Sequence, residues 1–268
     1  MHDAPRQAPS DERPAQTVSG TLVRILVGYA IAYGAFEGAA YLGAGLDLTW
    51  RQIAIALAGI VAVVVVELVL FRQRPGAALL ALGLGRPPLR TIAVGVVLSL
   101  LLLAAYPLIA ALTGVQFTLV EGWPLLALGI FLMNGVSEEM IYRGYLFRRL
   151  RAGRPFHRAV LLGIVFHAAA HLPILAVVGV VVGLSAVLVA VATFFPYAYL
   201  YERGQNTVWA VALVHFASDT VKLVLTAEAI RQPEFQVATL LWLAVIATVP
   251  YLALVLPPRL VGIPRTRP

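Results

Sequence analysis

Asn134-Gly-Val-Ser-Glu138-Glu139-Met-Ile-Tyr-Arg143 lies inside a long apolar run, and its reading decides the fold. A single charge at the centre of a membrane-spanning helix costs from about 2.5 to more than about 10 kcal/mol. Two carboxylates and a guanidinium there must find partners. Glu139 and Arg143 stand four residues apart with the acid first, the better order for an ion pair on one helix face. Glu138 is turned about 100° from Glu139 and shares its face with Asn134. One carboxylate can thus be held by Arg143 while the other is left for proton transfer. The same residues also read as a buried ionic knot that only fixes helix packing.

Working outward, the 268-residue chain is 60% hydrophobic and 12% charged. Soluble domains carry about 25% charged residues, so the composition is that of an integral membrane protein. Apolar runs of the ~20 residues that a spanning helix needs recur along nearly the whole length. The ~10-residue alternating strands of a membrane barrel are absent from the sequence. With no cysteine there is no disulfide, thiolate ligand or cysteine nucleophile. The net charge of +7 reads as a topology signal, since no basic run interleaved with aromatics suggests a nucleic-acid surface. The expected fold is all-α: a polytopic transmembrane helical bundle of about eight spans, forming one domain over 21–258. A polar, Pro- and Ser-containing tail at 1–20 precedes it and reads as disordered, without the apolar core of a removable signal peptide. A basic tail at 259–268 follows.

The spans are expected at about 21–42, 53–71, 91–112, 124–147, 159–172 (short), 178–200, 208–225 and 237–256. The segment 77–84 is too short to cross and should pack as a partial helix or lie at the interface. Glu37 and Glu67, near span ends, read as structural. Arg72, Arg74, Arg86 and Arg90 lie between the second and third spans, and Arg148, Arg149, Arg151, Arg154 and Arg158 follow the fourth, the most basic loop. Arg259, Arg265 and Arg267 end the chain. With eight spans, this bias places both termini in the cytoplasm, and the absent cysteines and short polar N-tail suit a multi-pass protein of a prokaryotic plasma membrane. No fixed-period repeat appears, nor the paired broken helices of a transporter.

Two further spans carry ionisable groups near their middles. His167 and His171 lie four apart, as do His215 and Asp219, so each pair shares a helix face. Taken singly, a membrane histidine more often bonds a neighbouring helix than performs chemistry. Together with the acidic pair they imply a shared polar cavity between helices four, five and seven, because burying so many ionisable groups separately is prohibitive. A free carboxylate beside a neutral imidazole can orient and deprotonate water, and His215 could donate to a developing oxyanion. Glu138, His171 and His215, with Asp219, would also suit Zn²⁺. There is no His-Glu-x-x-His, Gly-x-Ser-x-Gly or Walker loop. Residues alone leave three readings open: a membrane-embedded peptidase, a proton- or solute-coupled carrier, and a non-catalytic scaffold or immunity protein.

At these positions the chain resembles the CAAX protease and bacteriocin-processing (CPBP) family of intramembrane proteases, which includes type II CAAX prenyl endopeptidases. The family's marks are Glu-Glu-x-x-x-Arg, then Phe-x-x-x-His, then His-x-x-x-Asn or His-x-x-x-Asp, on three helices. Glu138, Glu139 and Arg143 match the first in full. His171 matches the second, with His167 where the Phe would stand and Phe166 beside it. His215 and Asp219 match the third in its acidic form. The likeness spans about 125–221. It implies hydrolysis of a peptide bond, in a membrane-associated peptide or lipidated protein C-terminus, by a water activated by Glu138 and His171. His215 and Asp219 would then stabilise the oxyanion or join a metal site.

Overall fold

Apolar runs in lipid can satisfy their backbone groups only within a helix or a closed barrel, and every described element is helical. The computed structural model describes residues 18–178 and 180–262. Its main helices are α1 (Val18–Leu42), α2 (Leu48–Val69), the short α3 (Pro75–Ala81), α4 (Leu89–Thr113) and α5 (Trp123–Arg151). They continue as α6 (Phe156–His171), α7 (Val180–Arg203), α8 (Trp209–Asp219) and α9 (Phe235–Thr248). Seven helical stretches among the described residues are long and apolar enough to cross a membrane. The expected seventh span departs from that set: α8 has 11 residues, about 16 Å of helix, and runs on as a 3₁₀ turn at Thr220–Leu223. Positions 18–20 of the expected N-terminal tail already belong to α1. The rest of that tail, Gly179, and 263–268 with Arg265 and Arg267 lie outside the described residues.

The span with the acidic motif is the centre of the bundle. In α5, 67% of the most apolar window is buried, against 28–44% for the other six stretches. Their outward sides expose Leu, Val and Ile, with Val61 59% and Leu100 60% accessible, the surface that lipid would cover. Inside, Tyr145, Phe147, Phe194 and Tyr201 are fully buried. Close approach depends on small residues. A Cβ at Gly95 of α4 would come within 2.9 Å of the Ala210 carbonyl of α8, and one at Gly135 of α5 within 2.8 Å of the Ala212 carbonyl. These two glycines press α8 between α4 and α5.

The end of α5 corrects one expectation. Arg148 and Arg149 do not lie in a loop; the helix carries them on to Arg151. Glu67 of α2 is the reason. Its fully buried carboxylate accepts from Arg149 at 2.7 Å on each oxygen and from Arg148 at 2.8 Å. The Arg149 guanidinium stacks between Phe71 (3.7 Å) and Tyr145 (4.2 Å), so its charge is paired and its plane covered. The same end of the bundle gathers Arg151 against Glu202 (2.6 Å), Arg90 against the Arg259 carbonyl, and Thr91 against the Val261 carbonyl. At the other end Gln116 and Gln232 exchange hydrogen bonds of 2.7 and 3.1 Å.

Replacing Gly95 with Leu is expected to wedge α4 from α8 and to destabilise the fold by about 1–3 kcal/mol, the usual range for overpacking. Thermal unfolding of the purified protein in detergent measures it. An unchanged transition would mean that α4 and α8 do not pack through this contact.

Candidate active site

The helix around the acidic pair is not a plain α-helix. Phe131–Ser137 and Met140–Phe147 are π-helical, with Glu138 and Glu139 at their junction. Such widened turns are uncommon and recur at functional sites. The expected spacing nevertheless holds. Asn134 Nδ2 donates to Glu138 Oε1 at 2.9 Å, and Arg143 Nη1 donates to Glu139 Oε1 at 2.8 Å. Arg143 and Glu139 are both completely buried. The guanidinium lies 4.7 Å from the Phe194 ring centre and 5.2 Å from that of Tyr197, both on α7, so aromatic faces cover the charge that Glu139 does not.

Helix α8 brings the third motif to the same place. His215 Nδ1 donates to Glu139 Oε1 at 2.7 Å, which directs the other nitrogen toward the remaining acids. That Nε2 stands 3.3 Å from Asp219 Oδ2 and 3.9 Å from Glu138 Oε2. Tyr197 braces the helix by hydrogen bonding Ser218 at 2.9 Å. Five of the six predicted site residues, Glu138, Glu139, Arg143, His215 and Asp219, thus form one contiguous network. Glu139 acts within it as an orienting group shared by Arg143 and His215. Glu138 is secured on one oxygen and presents the other toward His215.

His171 is placed differently. Its Nδ1 donates to the His167 carbonyl of its own helix at 2.8 Å, which leaves Nε2 as the nitrogen able to accept. No hydrogen bond joins it to Glu138 among the described residues. His167, 2% exposed, donates from Nδ1 to the Ala190 carbonyl at 3.2 Å and packs on Tyr142 (4.3 Å between rings) and Phe194 (5.5 Å). Packing accounts for it. Glu138 is 7% exposed. The most accessible members are Asp219 and Lys222, with side chains 25% and 26% exposed. A cavity of about 540 Å³ lies at the end of α4, lined by Tyr106, Pro107, Ala110, Val115 and Phe117. It touches this region through Tyr106, whose hydroxyl bonds Thr220 at 3.1 Å.

Sequence reasoning missed Lys222. Its Nζ donates to Asn134 Oδ1 at 2.9 Å and pairs with Asp219 Oδ1 at 3.1 Å. The signal was present, since an acid and a base three apart face one another on a helical turn. Three carboxylates, Glu138, Glu139 and Asp219, are therefore gathered with the basic groups Arg143, Lys222 and His215. Among the described residues, no group of three or more His, Asp or Glu side chains is arranged to hold a metal ion. Both ring nitrogens of His215 face carboxylates.

Fold and site together define a multi-pass helical membrane protein whose ionisable side chains converge on its central span. Residues 120–221 match the family model of type II CAAX prenyl endopeptidase Rce1-like proteins. The match bears out the resemblance read from the motifs and covers all three of them, while the first three spans lie outside it. No curated protein and no solved structure matches the chain.

Arg143→Leu is expected to leave Glu139 buried without its cation and to destabilise the protein by about 3–5 kcal/mol, as removal of one partner of a buried pair does. Denaturant titration in detergent reads this out. A change under about 1 kcal/mol would show that His215 alone suffices for Glu139.

Proposed function

We propose that the protein is an intramembrane endopeptidase of the CAAX prenyl protease type. It would hydrolyse a peptide bond near the end of a membrane-associated or lipidated chain with a Glu138-activated water. The observation that carries the reading is the held and aimed carboxylate of Glu138: Asn134 fixes Oε1, and Oε2 stands 3.9 Å from His215 Nε2. That distance is too long for a direct hydrogen bond and suits one bridging water.

In the proposed reaction Glu138 Oε2 takes a proton from water as the water oxygen bonds to the scissile carbonyl carbon. His215, oriented by Glu139, donates from Nε2 to the carbonyl oxygen as it gains negative charge. The carbon–nitrogen bond then breaks, and Glu138 returns its proton to the departing amine. Arg143 pairs with Glu139, the orienter, so the two adjacent acids play different parts. Asp219, paired with Lys222, acts as an acceptor that orients His215 and not as an oxyanion donor. His171, tied through Nδ1 to the His167 carbonyl, takes no part in these steps. Zn²⁺ on Glu138, His171 and His215 does not fit the donor set as arranged, because His215 is already engaged at both nitrogens and three ligands do not converge.

The basic residues gathered at one end of the bundle support a plasma-membrane orientation with both termini cytoplasmic. The partners under this reading are a peptide or lipidated C-terminus and the bilayer.

Glu138→Gln is expected to bind a prenylated or plain hydrophobic C-terminal peptide like the parent and to cleave it about 100- to 10,000-fold more slowly. Single-turnover cleavage in detergent, with binding followed by fluorescence anisotropy, makes the measurement. Cleavage at the parent rate would remove Glu138 as the base. Stoichiometric zinc in the purified protein, lost in both His171→Ala and His215→Ala, would instead restore the metal reading. Proton-driven uptake in sealed vesicles without any cleavage would favour a carrier.

A further inference from the structure

Lys222 lies on the 3₁₀ turn Thr220–Leu223 that ends α8, within the part of the chain expected to cross the bilayer. A lysine near a helix end ordinarily extends its ammonium to the interface. This one turns inward, and two of its three N–H groups are committed. One goes to Asn134 Oδ1 on α5 at 2.9 Å, the other to Asp219 Oδ1 at 3.1 Å. We infer that Lys222 is a positioning residue for the proposed hydrolysis, setting the orientation of both Glu138 and His215 without touching either.

The argument toward Glu138 rests on donor and acceptor chemistry. An ammonium can only donate, so the Asn134 amide must offer it oxygen. The opposite side of the same amide is then nitrogen, and Nδ2 is what reaches Glu138 Oε1 at 2.9 Å. Without the lysine, the contact with Glu138 alone holds the amide, and its oxygen loses the donor that fixes the plane of the group. The argument toward His215 rests on charge. The third motif stands here in its acidic form, so Asp219 brings a negative charge into low dielectric where the neutral amide would bring none. Lys222 neutralises that charge from one side and leaves Oδ2 to His215 Nε2 at 3.3 Å. The cation three residues beyond the acid belongs with the choice of Asp at 219.

This inference rests on the peptidase reading for its kinetic part alone, and a second readout needs no substrate. With histidine side chains ¹⁵N-labelled in the full-length protein in detergent, Lys222→Met is expected to move the His215 ring resonances and to leave those of His157, on the far end of α6, in place. Unmoved His215 resonances overturn the proposal whether or not the protein cleaves anything. With the hydrophobic C-terminal peptide as probe, Lys222→Met is expected to lower kcat about 10- to 100-fold, typical of lost supporting contacts, with KM within about twofold and Lys222→Arg recovering most of the loss. In an Asp219→Asn background the same Lys222→Met change is expected to cost under about threefold. Parent-like kcat in Lys222→Met, or an equal loss in both backgrounds, overturns it. If the parent cleaves no peptide, the peptidase reading fails by itself and the resonances decide the role of Lys222.

Discussion

Everything at the centre of this protein follows from the need to neutralise Glu139 where water does not reach. Its carboxylate is fully buried, and one of its oxygens takes hydrogen bonds from Arg143 on the same helix and from His215 on another. The first contact could form in an isolated helix. The second requires α8 to lie against α5, which in turn requires Gly135 where a side chain would strike the Ala212 carbonyl. Helix packing and site geometry are therefore a single problem in this fold. A bundle that failed to bring α8 into place would leave both an unpaired histidine and an under-compensated acid in lipid, at a cost of several kcal/mol.

The same constraint separates two chemically identical neighbours. Glu138 and Glu139 differ by one position and a third of a helical turn, yet one meets a guanidinium and the other an amide. An amide can hold a carboxylate without supplying a charge. Glu138 is thereby oriented through one oxygen, and its other oxygen faces His215. Arg143 is itself stabilised by the faces of Phe194 and Tyr197. The α7 helix contributes no charged group to the cluster, but it determines how the charges can be arranged.

Much of this was legible in the sequence because helical spacing is rigid. The pairs Asn134–Glu138 and Glu139–Arg143 follow from residue number, and they survive even the π-helical turns on either side of them, which no periodicity revealed. Hydropathy located the spans, although it extended the seventh beyond the 11 residues of α8, because composition does not distinguish the 3₁₀ turn at Thr220–Leu223 from a further turn of α-helix. What spacing could not supply was any contact between helices. Nothing in the order of residues says that Glu67 meets Arg149, or that Lys222 reaches Asn134, 88 positions away. His171 shows the limit from the other side: it stands where its motif asks for a histidine, but its ring is fastened to its own helix and not to Glu138. The aromatic residues that cover Arg143 are similarly silent, since Phe and Tyr in an apolar run look like ordinary core.

The bond between Glu67 and the two arginines at the end of α5 has a consequence for biogenesis. The acid precedes Arg148 by 81 positions, so a ribosome delivers it to the bilayer long before its counter-ions exist. Until the fourth span emerges, the second carries a carboxylate that the finished protein shields completely. The counter-ions of the second span are thus supplied by the fourth, and the buried surroundings of Glu67 exist only once both helices are in place.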